Sequence, residues 1–371
     1  MNELPMHVVF SGGGTGGHLF PGLAIAEELR RADQDIRITF AGGGGAFERD
    51  HVSRAGYEYV RLASRPLPRG PWQAVRFFKD HLSGCRAARR YLRQPHVSVV
   101  VGLGGYTSVP MARAAVSHGV PLVLVEQNVY PGRANVWLAR SASLVCTAFA
   151  ATRGHLRTSC PVRVTGTPVR HSHLAQPRVV NRPKQLLVLG GSQGARSLNQ
   201  QVPRALYRLR SQIAGWKIIH QSGERDFAAT RELYQKLACP AKVLPFIDDL
   251  PEHLARTDFA ISRAGGATIA ELTSAGVPAL LLPYPHATDD HQRKNADAVA
   301  QTGAAVVVDS REVDGRLDYR LADELGALFG ESQRLSTMAT AMRQNARPDA
   351  AWNVATMVRE LCRAPLLAHA N

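Results

Sequence analysis

Only five of the 371 residues are cysteine (Cys85, Cys146, Cys160, Cys239 and Cys362), and no two form a C-x-x-C pair. That scatter argues against a zinc site and against a disulfide framework, and it suits a reducing compartment. Long apolar runs are missing too: none approaches the roughly 18 residues that a membrane-crossing helix needs. If a membrane matters to this chain, the chain lies on it rather than across it. The opening MNELPMHVVF has no charged segment followed by an apolar core, so no secretory signal is expected. Acidic residues are the third scarcity. Thirty Asp and Glu stand against 45 Lys and Arg, a formal net charge of +15. Such an excess suits an anionic partner, whether nucleic acid, a membrane surface or a phosphorylated substrate.

What is present is a rhythm. The length suits about two domains. His7 to Phe10 is an apolar run that stops at a glycine-rich turn, and Pro21, expected near a first helical turn, leads into LAIAEELRRA with apolar residues at helical spacing. Ile36 to Gly42, Val97 to Gly105, Val120 to Asn128 and Ser143 to Phe149 read as further strands, with helical stretches such as SVPMARAAVSHG between them. That alternation is βαβ, which predicts a mostly parallel sheet with helices on both faces. Residues 170 to 184 have no steady period and read as a linker. QLLVLGGSQGARSLNQ (Gln185 to Gln200) then restarts the theme, so the chain holds two similar α/β units, each opening with a glycine loop. DAAWNVATMVRELCRA near the end reads as an amphipathic helix able to pack back across the domains.

Gly12, Gly14 and Gly17 fit the G-x-G-x-x-G spacing of a dinucleotide loop. A strand–glycine–helix junction gathers backbone N–H groups at a helix N-terminus, which suits a phosphate or another developing anion. A dinucleotide also needs a carboxylate near the end of the next strand. That strand ends FAGGGGAF; Asp33 and Asp35 precede it and Glu48 lies well past it, so no nicotinamide or flavin cofactor is expected. The second loop, GGSQGARSLN, offers Ser192 and Gln193 as hydrogen-bonding side chains. In SRAGGATIAELTSAG, Gly265 and Gly266 open a helix with Thr268 in its first turn and Glu271 about one turn on. Such a helix start can hold a diphosphate while the carboxylate accepts both ribose hydroxyls.

GGGTGGHLFPGLAIAEEL, VGLGGYTSVP, VEQNVYPGRANVWLA, GTPVR, GGSQGARSLNQ, FIDD and SRAGGATIAELTSAGVPALLLPYP occur in that order, from His7 to about Ala304. The ordered set resembles the MurG family, the bacterial N-acetylglucosaminyltransferases of peptidoglycan synthesis. The resemblance implies an α/β GT-B glycosyltransferase fold: two Rossmann-like domains whose parallel sheets face a central cleft. Residues 1–170 would form an acceptor- and membrane-facing domain onto which the 350–371 helix packs back, and residues 171–349 a UDP-GlcNAc-binding domain. It implies transfer of N-acetylglucosamine, with inversion, from UDP-GlcNAc to the 4-hydroxyl of the muramic acid of lipid I, giving lipid II. The implied partners are UDP-GlcNAc, lipid I, an anionic membrane surface on the cytoplasmic face of the inner membrane, and other cell-wall synthesis and division proteins. No cofactor and no nucleic acid are implied.

By resemblance, Thr15, Gly16 and Gly17 face the donor, Asn128 contacts its sugar, and Arg170 closes the G-N-P-V-R motif. Ser192 meets the diphosphate, beside Gln193, and the backbone of Ile247 reads uracil. Gly266, Ala267, Thr268, Ile269, Ala270 and Glu271 form the donor helix start, with Glu271 on the ribose, and Gln292 holds sugar hydroxyls. Two positions depart from the family: Val125 stands where it usually has His, and Thr167 where it has Asn. The stretch before Gln292 also varies in length across the family.

Inverting transfer needs a base for the attacking hydroxyl and a positive field for the departing diphosphate. A histidine ordinarily titrates in the right range, and His18 sits at the mouth of the first loop, either as the base or as a hydrogen-bond donor to phosphate or loop. Glu126 ends a strand as the rival base or as an orienting carboxylate. Tyr106 and Thr107 shape the acceptor side. Asp33-Gln34-Asp35 matches a metal-binding pattern only formally, between helix and strand. Helix N-termini with Arg170 and Arg263 can supply the field, so no metal is expected. The basic excess concentrates in Arg61 to Gln94, where Trp72, Phe77 and Phe78 mix with Arg65, Arg69, Arg76, Lys79, Arg86, Arg89 and Arg90 against the single acid Asp80. Aromatics beside cations suit a helix lying on an anionic bilayer. A nucleic-acid-binding reading of the same charge finds no recognisable motif and leaves the glycine loops without a role.

Overall fold

The computed structural model describes residues 5–68, 70–93, 97–170, 182–312 and 315–363. Most of the linker expected at 170–184, Arg69 of the basic stretch, and the end of the 350–371 helix lie outside the described residues. The chain divides into two compact units: Met1–Arg170 with Pro348–Asn371, and His171–Arg347.

The first unit carries strands β1 (His7–Gly12), β2 (Arg37–Gly42), β3 (Glu58–Arg61), β4 (Val99–Gly104), β5 (Leu122–Glu126), β6 (Leu144–Thr147) and β7 (Val162–Val164). Its helices are α1 (Gly16–Ala32), α2 (Ala46–Arg54), α3 (Pro71–Leu92), α4 (Val109–Ser117) and α5 (Arg133–Leu138). The second carries β8 (Gln185–Leu189), β9 (Lys217–Gln221), β10 (Lys242–Leu244), β11 (Phe259–Ser262), β12 (Ala279–Leu281) and β13 (Ala305–Val307). Around these lie α6 (Arg196–Arg208), α7 (Phe227–Lys236), α8 (Leu250–Ala255), α9 (Gly266–Ala275), α10 (His291–Ala300), α11 (Leu317–Gly330) and α12 (Ser332–Asn345). The last helix, α13 (Ala350–Arg363), belongs to the first unit and packs against α1, burying Val354, Ala355 and Val358 with Val8, Leu23 and Phe40.

The strand orders are β3-β2-β1-β4-β5-β6-β7 and β10-β9-β8-β11-β12-β13, and every paired strand is parallel. Continuous apolar strands such as VVFSG and LLVL are buried on both faces, as a helix-covered parallel sheet demands. Each order reverses direction beside its first strand, between β1 and β4 and between β8 and β11. Open α/β sheets bind ligands at that reversal, beyond the carboxyl ends of the strands. The glycine loops occupy both reversals. Pro21 is one difference from the sequence reading: α1 starts at Gly16, so Pro21 sits in its second turn and the bond its N–H would have made to Gly17 is lost.

Candidate active site

At the first reversal, Thr15 is the N-cap of α1, and the first N–H groups to bond back are those of His18 and Leu19, both to the Thr15 carbonyl. The Thr15 side chain does not cap the N–H groups of this first turn. The Thr15 hydroxyl lies 3.2 Å from His18 Nδ1. The ring rests on the loop after β4. A Cβ on Gly104 would stand 3.1 Å from His18 Cδ2 and 3.3 Å from Nε2, and Gly104 is left-handed at φ +97°. The fold therefore brings His18 against the loop bearing exposed Tyr106 and buried Thr107.

Glu126, at the end of β5, is 3% exposed. Its Oε1 accepts from the backbone N–H (3.0 Å) and side-chain amide (2.9 Å) of Asn128, and its Oε2 from the Gly132 N–H and the Asn135 amide, both at 2.9 Å. Burial raises its pKa while these four bonds pull the other way. Both oxygens are thus engaged in tying down the loop between β5 and α5, which suits an orienting carboxylate better than a base. Asn135 was not singled out in the sequence. It also donates to the Val125 carbonyl at 3.1 Å, and its amide nitrogen stands 3.5 Å from where a Gly104 Cβ would be, so it braces the loop under His18. Arg170 lies over the Phe20 ring at 5.4 Å, within the first unit.

Glu48 is the residue that sequence distance disguised. It is 2% exposed and folds back onto the first loop: a Cβ on Gly13 would meet its Oε1 at 2.5 Å. It lies where a dinucleotide fold keeps its ribose carboxylate. Yet Oε2 accepts from the Gly44 N–H (3.0 Å), the Gly45 N–H (3.3 Å) and the Tyr59 hydroxyl (2.5 Å), and burial closes it to sugar hydroxyls.

At the second reversal, the N–H groups of Gly266, Ala267 and Thr268 precede the first intrahelical bond of α9, from Ile269 to Gly265, and no side chain caps them. Such a start holds a diphosphate. Ser192 and Gln193 lie on the loop after β8, the strand paired with β11. A Cβ on Gly194 would run into the Ser222 carbonyl, and one on Gly223 would stand 2.7 Å from the Gln193 carbonyl, so the loop is seated directly on the backbone after β9. Side chains hold that seat. His220, fully buried, has Nδ1 3.0 Å from the Tyr234 hydroxyl and Nε2 3.0 Å from Asn199 Oδ1, and the Asn199 amide donates to the Ser222 carbonyl (2.9 Å) and to Asp226 (3.1 Å). The Ile247 N–H donates to Gln221 Oε1 at 3.1 Å. Ile269 is buried; Ala270 and Glu271 are half-buried on α9. Gln292 accepts from the Tyr284 N–H at 2.9 Å through its amide oxygen and follows two left-handed residues, Asp289 (φ +53°) and Asp290 (φ +54°).

Arg263, expected to add to the positive field, lies inside the second unit. Its guanidinium is buried and donates to the carbonyls of Leu282 and Pro283, both at 3.0 Å, and to Ser197 Oγ at 2.6 Å, and burial lowers its pKa to about 10. These neutral partners fasten the starts of α6 and α9 to the end of β12. Asp33 and Asp35 sit between α1 and β2, at the opposite edge from the loops, where Asp33 Oδ1 accepts the Asp35 N–H. No group of three or more His, Cys, Asp and Glu able to hold a metal occurs among the described residues.

On α3, Gly84, Ala88 and Leu92 face inward, while Trp72 (85% exposed), Val75, Phe78 (60%) and Leu82 form an outward stripe at helical spacing, with exposed Arg76 and Lys79 beside it. Phe77 is half-buried, stacked on His81 at 5.7 Å. Arg65 pairs with Asp80.

Residues 8–147 match the glycosyltransferase family 28 N-terminal domain and residues 185–354 its C-terminal domain. The UDP-N-acetylglucosamine--N-acetylmuramyl-(pentapeptide) pyrophosphoryl-undecaprenol N-acetylglucosamine transferase of Methylococcus capsulatus is 41% identical over 359 residues, 95% of this chain and 98% of that one. The protein of the same name from Sorangium cellulosum is 39% identical, covering 96% of this chain and 89% of that one. The crystal structure of Acinetobacter baumannii MurG superposes with a TM-score of 0.74 at 32% identity, covering 96% of this chain and all of that one. With both domain models matched and these relatives aligned over almost the whole length, the chain is a GT-B glycosyltransferase of family 28 and belongs to the MurG family.

Proposed function

We propose that this chain transfers N-acetylglucosamine from UDP-GlcNAc to the 4-hydroxyl of the muramic acid of lipid I, with inversion, forming lipid II for peptidoglycan. The near-full-length identity to transferases of that name carries the reading; fold alone would not, because GT-B sheets serve many reactions. His18 is the base. With Nδ1 held by Thr15, Nε2 takes the proton of the attacking hydroxyl as the new C1–O bond forms and the bond from C1 to the UDP oxygen breaks. Glu126 orients: through Asn135 it holds the loop on which the imidazole rests. The charge gathering on UDP is met by the uncapped N–H groups of α9, with Ser192 and Gln193 from the β8 loop and Arg263 behind them. Glu271 takes the ribose hydroxyls, the Ile247 carbonyl the uracil, and Gln292, its oxygen bound to Tyr284, donates its amide to the sugar. Thr15, Gly16, Gly17, Asn128 and Arg170 complete the donor contacts, and Tyr106 and Thr107 line the acceptor side.

The lipid anchor of the acceptor gives the α3 stripe a purpose. No described helix is long and apolar enough to cross a membrane. Trp72, Val75, Phe78 and Leu82 entering the headgroup region, with Arg76 and Lys79 among anionic lipids at about 1 kcal/mol each, would hold the enzyme peripherally at the cytoplasmic leaflet. The deciding experiment incubates labelled UDP-GlcNAc with a lipid I analogue, with and without EDTA. Labelled disaccharide-lipid should form equally in both. No product, or product only without EDTA, refutes the acceptor or the metal-free chemistry in turn. In the same assay His18→Ala should lower kcat by orders of magnitude while UDP-GlcNAc still binds; near-normal turnover removes His18 as the base.

A further inference from the structure

The four glycines Gly42–Gly45 and the carboxylate that follows them have no part in the mechanism above. Glu48 is the third residue of α2, and a glutamate there is ordinarily a helix-capping group whose oxygen receives the N-cap N–H. Capping accounts for one oxygen only. Oε2 collects three donors, while Oε1 is buried without a hydrogen-bond partner. A bare buried carboxylate oxygen opposes folding, and such atoms are rare in native proteins. An exposed capping glutamate would avoid the loss.

The bare oxygen does have a neighbour of another kind. It lies against the backbone of the first glycine loop, 2.5 Å from the place of a Gly13 Cβ and 3.9 Å from that of Gly14. Gly13 and Gly14 are both left-handed, at φ +149° and +81°. The next residue is Thr15, which caps α1 and holds His18 Nδ1. Tyr59 locks the carboxylate in place: its hydroxyl donates to Oε2 and accepts the Gly44 N–H at 2.8 Å, and burial with the adjacent carboxylate raises its pKa, so it stays a donor.

We infer that Glu48 is a positioning residue for the transfer: held by Gly44, Gly45 and Tyr59, it is the wall that fixes the Gly13–Gly14 turn and through it the place of His18. This rests on the proposal that His18 takes the proton in the reaction above. A displacement of the order of 1 Å at a reacting group lowers rate by about a hundredfold, so the effect belongs in kcat. UDP-GlcNAc is assigned mainly to the second unit, so its KM should change far less than kcat.

The test uses the full-length enzyme, labelled UDP-GlcNAc and a lipid I analogue, with thermal melting as the check on folding. Glu48→Ala should lower kcat roughly tenfold to a hundredfold and leave the KM for UDP-GlcNAc within about threefold. Glu48→Gln keeps an oxygen for the three donors and should recover most of that loss. Tyr59→Phe removes the lock and should fall between the two. A folded Glu48→Ala enzyme with wild-type kcat overturns the inference, as does a donor KM that rises in step with the fall in kcat, or a Glu48→Gln enzyme no better than Glu48→Ala. If Glu48→Ala does not fold, Tyr59→Phe decides, and wild-type kcat in that variant overturns the inference. Wild-type enzyme that makes no product refutes instead the proposed function.

Discussion

The loop after β8 is seated through one histidine, and its protonation gives the sharpest test of the second unit. Asn199 spends its amide hydrogens on Ser222 and Asp226, so its oxygen must receive a proton from His220 Nε2, and His220 Nδ1 must in turn receive the Tyr234 hydroxyl proton. Only the neutral Nε2–H imidazole satisfies every bond. Burial lowers the His220 pKa from 6.5 to about 3. Three and a half units at 1.36 kcal/mol each make roughly 5 kcal/mol at most. The folded pKa lies below the unfolded one, so the unfolded chain binds the extra proton. Stability is complete above about pH 6.5 and falls by up to about 1.4 kcal/mol per unit as pH drops toward 3. His7, lowered by burial to about 4, adds a second, smaller loss in the first unit. In His220→Gln the side-chain amide can still donate to Asn199, but Tyr234 loses its acceptor, which should cost about 1–3 kcal/mol at pH 7.5. At pH 4.5 wild type has lost about 2.7 kcal/mol through this proton uptake while the variant, with no group to titrate there, has lost none of it, so the gap between them should close or change sign. Urea unfolding at the two pH values measures this, and nitrogen-15 spectra of the histidine ring report the tautomer directly. Parallel losses in wild type and variant, or a His220 ring protonated at pH 5, would refute the ordered network.

Three further outcomes separate the assigned roles. Glu271→Gln should weaken UDP-GlcNAc binding by about 1.5–3 kcal/mol, the worth of hydrogen bonds to a charged group, as read by titration calorimetry; unchanged affinity removes Glu271 from the ribose. Trp72→Ser with Phe78→Ser should abolish binding to vesicles rich in anionic lipid while leaving turnover of a soluble acceptor analogue intact, and equal vesicle binding would show the α3 stripe to be an ordinary solvated surface. Gly12→Ala should destabilise the first unit by several kcal/mol in denaturant, because φ is +125° and the new Cβ would meet the Gly104 carbonyl at 2.7 Å; a loss below about 1 kcal/mol would contradict that packing.

Local signals survived in the sequence and tertiary ones did not. A buried parallel strand writes itself as a run of Val, Leu and Ile, and the turn beyond it as glycine, so both reversals were legible before any sheet existed. EYVR, VRV and AVV, which form β3, β7 and β13, leave no mark in the sequence because three or four residues carry no period. Glu48 stood too far along the chain for the ribose role, but α2 turns it back onto Gly13, and chain distance cannot express that return. The aromatics of α3 could have faced in or out; only the packing of Gly84 and Ala88 inward puts Trp72 and Phe78 outside. The fastening role of Arg263 is invisible in the sequence because two of its acceptors are backbone carbonyls, which no side-chain pattern announces.

The glycines that first suggested a cofactor now divide by what a Cβ would meet. At Gly12, Gly13 and Gly104 it would meet the protein itself, so those residues are explained by packing and say nothing about a ligand. Gly17 is different. Its φ lies outside the left-handed region, and its Cβ would find only the Thr15 hydroxyl, at 3.9 Å. In the first turn of α1, alanine there should leave the fold unharmed or stabilise it by up to about 1 kcal/mol. On the proposed assignment, glycine at 17 leaves room for the donor sugar-diphosphate to approach the helix start closely. Gly17→Ala should melt at or above the wild-type temperature and yet raise the KM for UDP-GlcNAc or lower kcat at least about tenfold, because a methyl group would occupy the space of the ligand. A Gly17→Ala enzyme with both wild-type stability and wild-type kinetics would mean that the first loop touches no substrate at that point, and that its glycines serve the packing of β1 and β4 alone.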